Sequence, residues 1–311
     1  MIEIAIMIEG QNGLNWERWQ RIAATVEACG YAGLYRSDHF TNASPPDLDS
    51  LECWTSLTWL ASHTQRIEFG PLVSPLSFRH PAFLARMATA VDDLSGGRLS
   101  FGVGAGWQAR EHANFGWDLL DKPRRFNRFE EGLEVISRLL KSDQPVDFSG
   151  NYYHLQEAIL LPRPKRLGGP PILVGGSGEK RTLPLTAKFA NEWNAPFTTA
   201  VEFKRLNFLL DKLLLAQGRS VTDVRRSLTV GCVFGSDFSE VERKVNIRTH
   251  GQRTVSDLRE RGLVVGTPGE IVEQCRKLQE AGVQRLMLQW LDLEDTAGLK
   301  AMADGILGAL S

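Results

Sequence analysis

Residues 66–111 read RIEFG PLVSPLSFRH PAFLARMATA VDDLSGGRLS FGVGAGWQAR E. The stretch is a strand, a loop, a helix, a second strand and a glycine-rich turn. Arg66 to Gly70 opens an extended run that continues through Leu72-Val73. Pro81 is a favoured first residue of a helix, and Leu84, Met87, Ala88, Val91 and Leu94 then recur at helical spacing on one face. Ser95-Gly96-Gly97 ends that helix, because glycine accepts the left-handed backbone of a helix terminus. Leu99, Phe101 and Val103 alternate as the next strand, which runs into Gly104-Ala105-Gly106-Trp107, a turn bare enough for a ligand to approach the backbone. One strand–helix–strand unit with a gap at the carboxyl end of its strand is the repeating piece of an α/β fold.

The pattern repeats outward from this unit. Ile2 to Ile8 is apolar almost throughout, as a strand covered on both faces must be. Trp16 to Cys29 is a helix with Trp19, Ile22, Ala23 and Val26 on one side, and Tyr31 to Ser37 is a second strand. Leu51 to Ser62 is helical, 107–123 a long loop, and Arg125 to Leu140 a helix carrying Phe129, Leu133, Ile136 and Leu140. Val146 to Leu155 has the form of a β-hairpin around Ser149-Gly150-Asn151. Pro171 to Gly178 is a strand and glycine-rich turn, with a helix beginning near Glu179. Strands at 192–195, 227–234 and 284–290 and helices at 201–217, 238–249, 268–281 and 295–310 complete the run; 251–262 is polar and irregular, a candidate lid. About eight alternations with insertions suit a single-domain (β/α)8 TIM barrel over residues 1–311 better than an open sheet.

Composition bounds the function. The chain is 42% apolar and 23% charged with a net charge of −1, and it has no long basic or acidic block, so nothing points to nucleic acid or an anionic membrane. No run reaches the roughly 20 apolar residues of a membrane span. The N-terminus enters a strand at once, which leaves no room for a signal peptide. Cys29, Cys53, Cys232 and Cys275 are too far apart in sequence for a metal or redox pair and read as free thiols of a reducing cytoplasm. No spacing of His, Asp or Glu resembles a metal site, and there is no nucleophile elbow.

In a barrel of this kind ligands bind at the carboxyl ends of the strands. Four such ends stand out: Asp38-His39, Leu72-Val73-Ser74, Ala105-Gly106-Trp107 and Gly175-Gly176-Ser177. The last is a candidate phosphate cradle, with free N–H groups, a helix behind it and the Ser177 hydroxyl as a further donor; a plain tight turn is the alternative. His39 follows a strand beside an acid, a placement for a general base or for polarising a carbonyl. Asp38 is open to orienting His39, to accepting from a cofactor ring, or to capping a helix. His63, His112, His154 and His250 have no comparable context, and His80 precedes Pro81 as a cap. Trp107 is placed either to stack on a ring or to pack.

Phe78-Arg79-His80-Pro81-Ala82, Leu94 to Leu99, and Gly102 to Trp107 with Glu111 following resemble the luciferase-like flavin and deazaflavin oxidoreductases, and the resemblance extends over nearly the whole chain. It implies a barrel holding FMN or coenzyme F420 at the carboxyl-end rim, a non-proline cis peptide near Leu72-Val73-Ser74 backing the ring, and the phosphate at Gly175-Gly176-Ser177. Ser37-Asp38-His39-Phe40 looks like the motif of the F420-using members, in which the aspartate contacts the deazaflavin and the histidine faces it. That resemblance implies hydride transfer between F420 and a small alcohol, carbonyl or enone, with His39 handling the proton, and a homodimer. Trp107 stands where sugar-phosphate dehydrogenases carry a glutamate, which speaks against a sugar phosphate. An FMN-dependent monooxygenase using reduced flavin and O2 is the alternative. A barrel without cofactor is a further one, and it requires a trans peptide near Val73 and a rim plugged by side chains.

Overall fold

The computed structural model describes residues 1–310. Strands β1 (Glu3–Ile8), β2 (Gly33–Arg36), β3 (Glu68–Pro71), β4 (Ser74–Pro75), β5 (Phe101–Gly104), β6 (Val146–Ser149), β7 (His154–Ala158), β8 (Ile172–Gly175), β9 (Glu192–Pro196), β10 (Arg225–Phe234), β11 (Val264–Gly266) and β12 (Arg285–Gln289) alternate with helices. These are α1 (Trp16–Cys29), α2 (Cys53–His63), α3 (Pro81–Ser95), α4 (Ala109–Phe115), α5 (Lys122–Lys141), α6 (Thr182–Phe189), α7 (Ala200–Ala216), α8 (Phe238–Thr249), α9 (Val255–Glu260), α10 (Pro268–Glu280) and α11 (Thr296–Leu310).

The large sheet runs β3-β2-β1-β12-β10-β9-β8-β5-β4, all in parallel. β3 and β4 are two pieces of one stave, broken at Leu72-Val73, so the ends of the list meet. Phe69 bridges Leu99, and the Leu76 N–H reaches the Gly104 carbonyl at 2.9 Å. The result is a (β/α)8 barrel. Its insertions are the antiparallel β6–β7 hairpin and β11, which pairs with the outward end of the long β10.

Alternation along β1 sets the two layers. Ile4, Ile6 and Ile8 point outward into the large cluster shared with the helices. Ala5 and Met7 point inward and meet Tyr35, Leu173 and Met287 in a small interior cluster, against which Leu72 and Val73 pack. Below that layer Arg285, 1% exposed, is ringed by Glu3 at 2.7 Å and Glu68 at 2.8 Å, with Glu192 at 3.5 Å and the Tyr35 hydroxyl. A buried guanidinium is tolerable only because these partners satisfy it. The amino end of the barrel thus carries a cluster of ion pairs, and its middle is filled by apolar side chains.

The elements fall close to their sequence reading, with four corrections. The 107–123 loop contains α4, a short helix with only Glu111 and His112 buried and hence no apolar stripe to announce it. The 251–262 segment is not an irregular lid: α9 forms there on a Thr254/Asp257 capping box, with Leu258 buried. The helix behind the third glycine turn begins at Thr182 rather than near Glu179. Leu94 lies outside the buried face of α3 and is 53% exposed. No described helix is long and apolar enough to cross a membrane.

Candidate functional site

A cavity of about 530 Å³ opens at the carboxyl-end rim, within the range of small-molecule sites. The Leu72–Val73 peptide on its wall is cis. The Val73 side chain rests on staves stripped of side chains. A Cβ at Gly104 would stand 2.5 Å from Val73 Cγ2, and one at Gly102 or Gly175 would stand 3.2 Å from Val73 Cγ1. Val73 thus demands glycine at Gly104, the Pro71 carbonyl demands it at Gly102, and at Gly175 a Cβ would press on Val73. Gly104, Ala105, Gly106, Trp107, Gly175 and Gly176 continue that wall. The opposite side is polar. The Ser37 hydroxyl donates to Gln11 Oε1 at 2.7 Å, Gln11 and Gln289 both donate to the Glu9 carboxylate, and Thr229 donates to Asn194 Oδ1 at 3.0 Å.

His39 lies on the wall, placed by the turn out of β2. Its Nδ1 is 2.8 Å from Glu111 Oε1, and the second oxygen of Glu111 accepts the Phe40 N–H at 3.1 Å. The Glu111 side chain is fully buried and that of His39 is 15% exposed. Burial disfavours the imidazolium, but the Glu111 hydrogen bond and charge, helped by Glu9 and Asp38, outweigh it, and the His39 pKa is raised. With Nδ1 committed to the carboxylate, Nε2 is the nitrogen left for chemistry, and it has no partner among the described residues. Trp107 stands edge-on to the imidazole, ring centroids 5.5 Å apart.

The residues singled out in the sequence converge on this rim but do not all reach the cavity. His39, Leu72, Val73, Ala105, Gly106, Trp107, Gly175 and Gly176 line it. Asp38 and Ser74 lie behind the wall, both buried. Ser74 donates to Asp38 at 2.7 Å, Trp54 donates to Ser74 at 2.9 Å, and Arg79 binds Asp38 at 2.6 Å and Glu52 at 2.7 Å. Asp38 is thus the partner of Arg79, and the group that orients His39 is Glu111. The Gly176 N–H is taken by the Asn194 carbonyl at 2.9 Å, so of the third glycine turn the amides of Ser177 and Gly178 are the ones without an acceptor among the described residues. Ser177 Oγ lies 3.5 Å from Thr198 Oγ1.

Sequence reasoning missed Glu111 as a working residue, because it sits on the helix that periodicity did not reveal. It also gave no role to His112. That side chain is buried, with Nδ1 at 2.6 Å from the Gln108 carbonyl and Nε2 at 2.8 Å from Ser77 Oγ, and so anchors α4 to the rim. His80 is the cap of α3, its Nδ1 accepting the Ala82 N–H at 3.3 Å.

A family model described as luciferase-like monooxygenase matches residues 2–262. The chain is 29% identical over 318 residues to the 4-hydroxyprotoasukamycin monooxygenase of Streptomyces nodosus subsp. asukaensis, covering 93% of this chain and 84% of that protein. It is 26% identical over 297 residues to the F420-dependent glucose-6-phosphate dehydrogenase of Amycolatopsis mediterranei (strain U-32), covering 85% and 86%. A solved F420-dependent secondary alcohol dehydrogenase in complex with an F420-acetone adduct superposes with a TM-score of 0.86 at 17% identity, over 100% of this chain and 99% of that one. At that identity the likeness concerns the fold alone.

Proposed function

The chain belongs to the luciferase-like monooxygenase family, and from that premise we propose that it is an F420-dependent oxidoreductase acting on a small alcohol, carbonyl or enone. What supports a flat cofactor is the wall itself. The glycine-backed face around Val73 offers a surface free of projecting side chains, the rim is open rather than plugged, and the Ser177 and Gly178 amides are available to an anionic tail. Leu72, Val73, Ala105 and Gly106 would hold the ring, and Gly175, Gly176 and Ser177 the phosphate end. The deazaflavin, when bound, supplies hydride transfer, and the protein supplies placement and electrostatics.

The observation that carries the reading is His39 on the cavity wall with Glu111 behind it at 2.8 Å. The carboxylate fixes the tautomer with the proton on Nδ1, so Nε2 presents a lone pair to the cavity. Nε2 then takes the proton of a substrate hydroxyl, and Glu111 stabilises the imidazolium that results. In the reverse direction the protonated ring donates to the carbonyl oxygen. Trp107 covers one edge of the imidazole and limits water there. Asp38, held by Arg79 and Ser74, adds negative charge behind the ring without touching the cavity.

A second reading, favoured by the likeness to the 4-hydroxyprotoasukamycin monooxygenase, puts reduced FMN in the same cavity for an oxygenation. Titration of the purified protein with each cofactor separates them. F420 is expected to bind in the micromolar range and FMN at least tenfold more weakly. The reverse order overturns the F420 reading.

A further inference from the structure

Two aromatic rings stand at the mouth of the cavity with most of their surface in solvent: Trp107 is 63% exposed and Phe197 57%. They come from different staves. Trp107 follows Gly106, whose φ of +82° is a glycine conformation and whose Cβ, if it had one, would stand 2.8 Å from Ser77 Oγ. Phe197 follows β9 and itself has a φ of +48°, a region that side chains with a Cβ seldom adopt. Its N–H is tied to the Thr229 carbonyl at 2.7 Å. A bulky ring held in such a conformation, outside the core and on the wall of a ligand cavity, is placed for contact with a ligand.

The charge on the wall is as informative. Of the described residues lining the cavity only Glu9 and His39 titrate, and none is Lys or Arg. The Glu9 carboxylate accepts hydrogen bonds from the side-chain amides of Gln11 and Gln289. A phosphate or carboxylate on the substrate would enter with no Lys or Arg to meet it, with His39 already paired to Glu111 and with the Glu9 carboxylate nearby, an unfavourable way to desolvate an anion.

We propose, resting on the cofactor reading above, that the substrate is an uncharged molecule whose reacting hydroxyl or carbonyl adjoins a flat apolar body, aromatic or fused-ring, held against Trp107 and Phe197. The deeper glycine-walled face is left to the cofactor. The two rings at the mouth are then specificity residues: they select the flat body, while His39 serves the oxygen.

The test is calorimetric and needs no turnover. The full chain, saturated with whichever of F420 and FMN it binds, is titrated with 2-naphthol, cyclohexanol and glucose 6-phosphate. 2-Naphthol is expected to bind at least tenfold more tightly than cyclohexanol, and glucose 6-phosphate to give no heat. Trp107→Ala and Phe197→Ala are each expected to weaken 2-naphthol about fivefold or more, the low end of what one stacked ring is worth. Cofactor affinity should stay within twofold, and Trp107→Phe should restore most of the loss. Both positions are exposed, so the variants keep the fold. Tight binding of glucose 6-phosphate, or 2-naphthol affinity unchanged in the alanine variants, overturns the proposal. Equal loss of cofactor affinity assigns the rings to the cofactor and overturns it as well. A chain that takes up neither F420 nor FMN overturns the cofactor reading and this proposal together; a loaded chain that prefers the sugar phosphate overturns this proposal alone.

Discussion

Replacing Glu111 by Gln isolates the charge behind His39 with almost no change of volume. In the native site one oxygen faces His39 Nδ1 at 2.8 Å and the other accepts the Phe40 N–H at 3.1 Å. An amide has one acceptor and one donor, so it cannot serve both. If its oxygen faces His39, the NH2 group opposes the Phe40 N–H. If it faces Phe40, the NH2 donates to Nδ1 and drives the proton to Nε2, the tautomer that cannot accept from a substrate. A hydrogen bond to a charged partner contributes about 1.5–3 kcal/mol. Lost where the imidazolium forms, that lowers kcat/KM by roughly 10–150-fold, at about 1.36 kcal/mol per factor of ten. Cofactor affinity should hardly move, because Glu111 lies behind the wall. The assay is kcat/KM for alcohol oxidation against pH. In the proposed mechanism neutral His39 is the active form, and its pKa is raised, so the native rate is expected to climb with pH through a value above the ordinary histidine one. In Glu111→Gln the plateau falls and the limb moves to lower pH. A variant with native kcat/KM and a native pH limb would refute the Glu111–His39 mechanism.

Gly104→Ala tests the wall beneath Val73. The new Cβ would meet Val73 Cγ2 at 2.5 Å, so Val73 has to move; the expected outcome is at least a tenfold weaker cofactor and a loss of about 1–3 kcal/mol of stability, typical of overpacking, read by cofactor titration and urea unfolding. Native values for both would count against the wall as described. Stability should also depend on pH through His39. A histidine whose folded pKa is raised contributes fully below its unfolded value of about 6.5 and loses that contribution as pH rises through the folded value. The stability gap between the native chain and Glu111→Gln, from urea unfolding at pH 6 and pH 9, should therefore narrow at the higher pH while keeping the part owed to the Phe40 N–H. A gap that widened would contradict the assigned partnership.

What the order of residues by itself determined was local. Trp19, Ile22, Ala23 and Val26 share the buried face of α1 as their spacing requires, and the apolar run that follows Glu3 in β1 matches a strand with Ile4, Ile6 and Ile8 against helices and Ala5 and Met7 inside the barrel. Glycine-rich strand ends were legible too, because a turn that tolerates no Cβ advertises itself in composition. Where local signals are absent the structure departs from the sequence reading: α4 buries too little to show a period, and α9 buries only Leu258 in a polar segment.

Only the closed tertiary structure decided who meets whom at the rim. His39 and Glu111 are 72 positions apart, and Asp38 and Arg79 are 41 apart. Neither pairing follows from neighbours in the chain. Each depends on which strand ends the barrel brings side by side and how far each loop leans over the mouth, and those are set by the packing of the whole ring of staves rather than by any one segment. The same closure put Asp38 behind the wall, gave the orienting role to a helix residue, and turned Phe197 into the cavity through a backbone angle that no residue type announces.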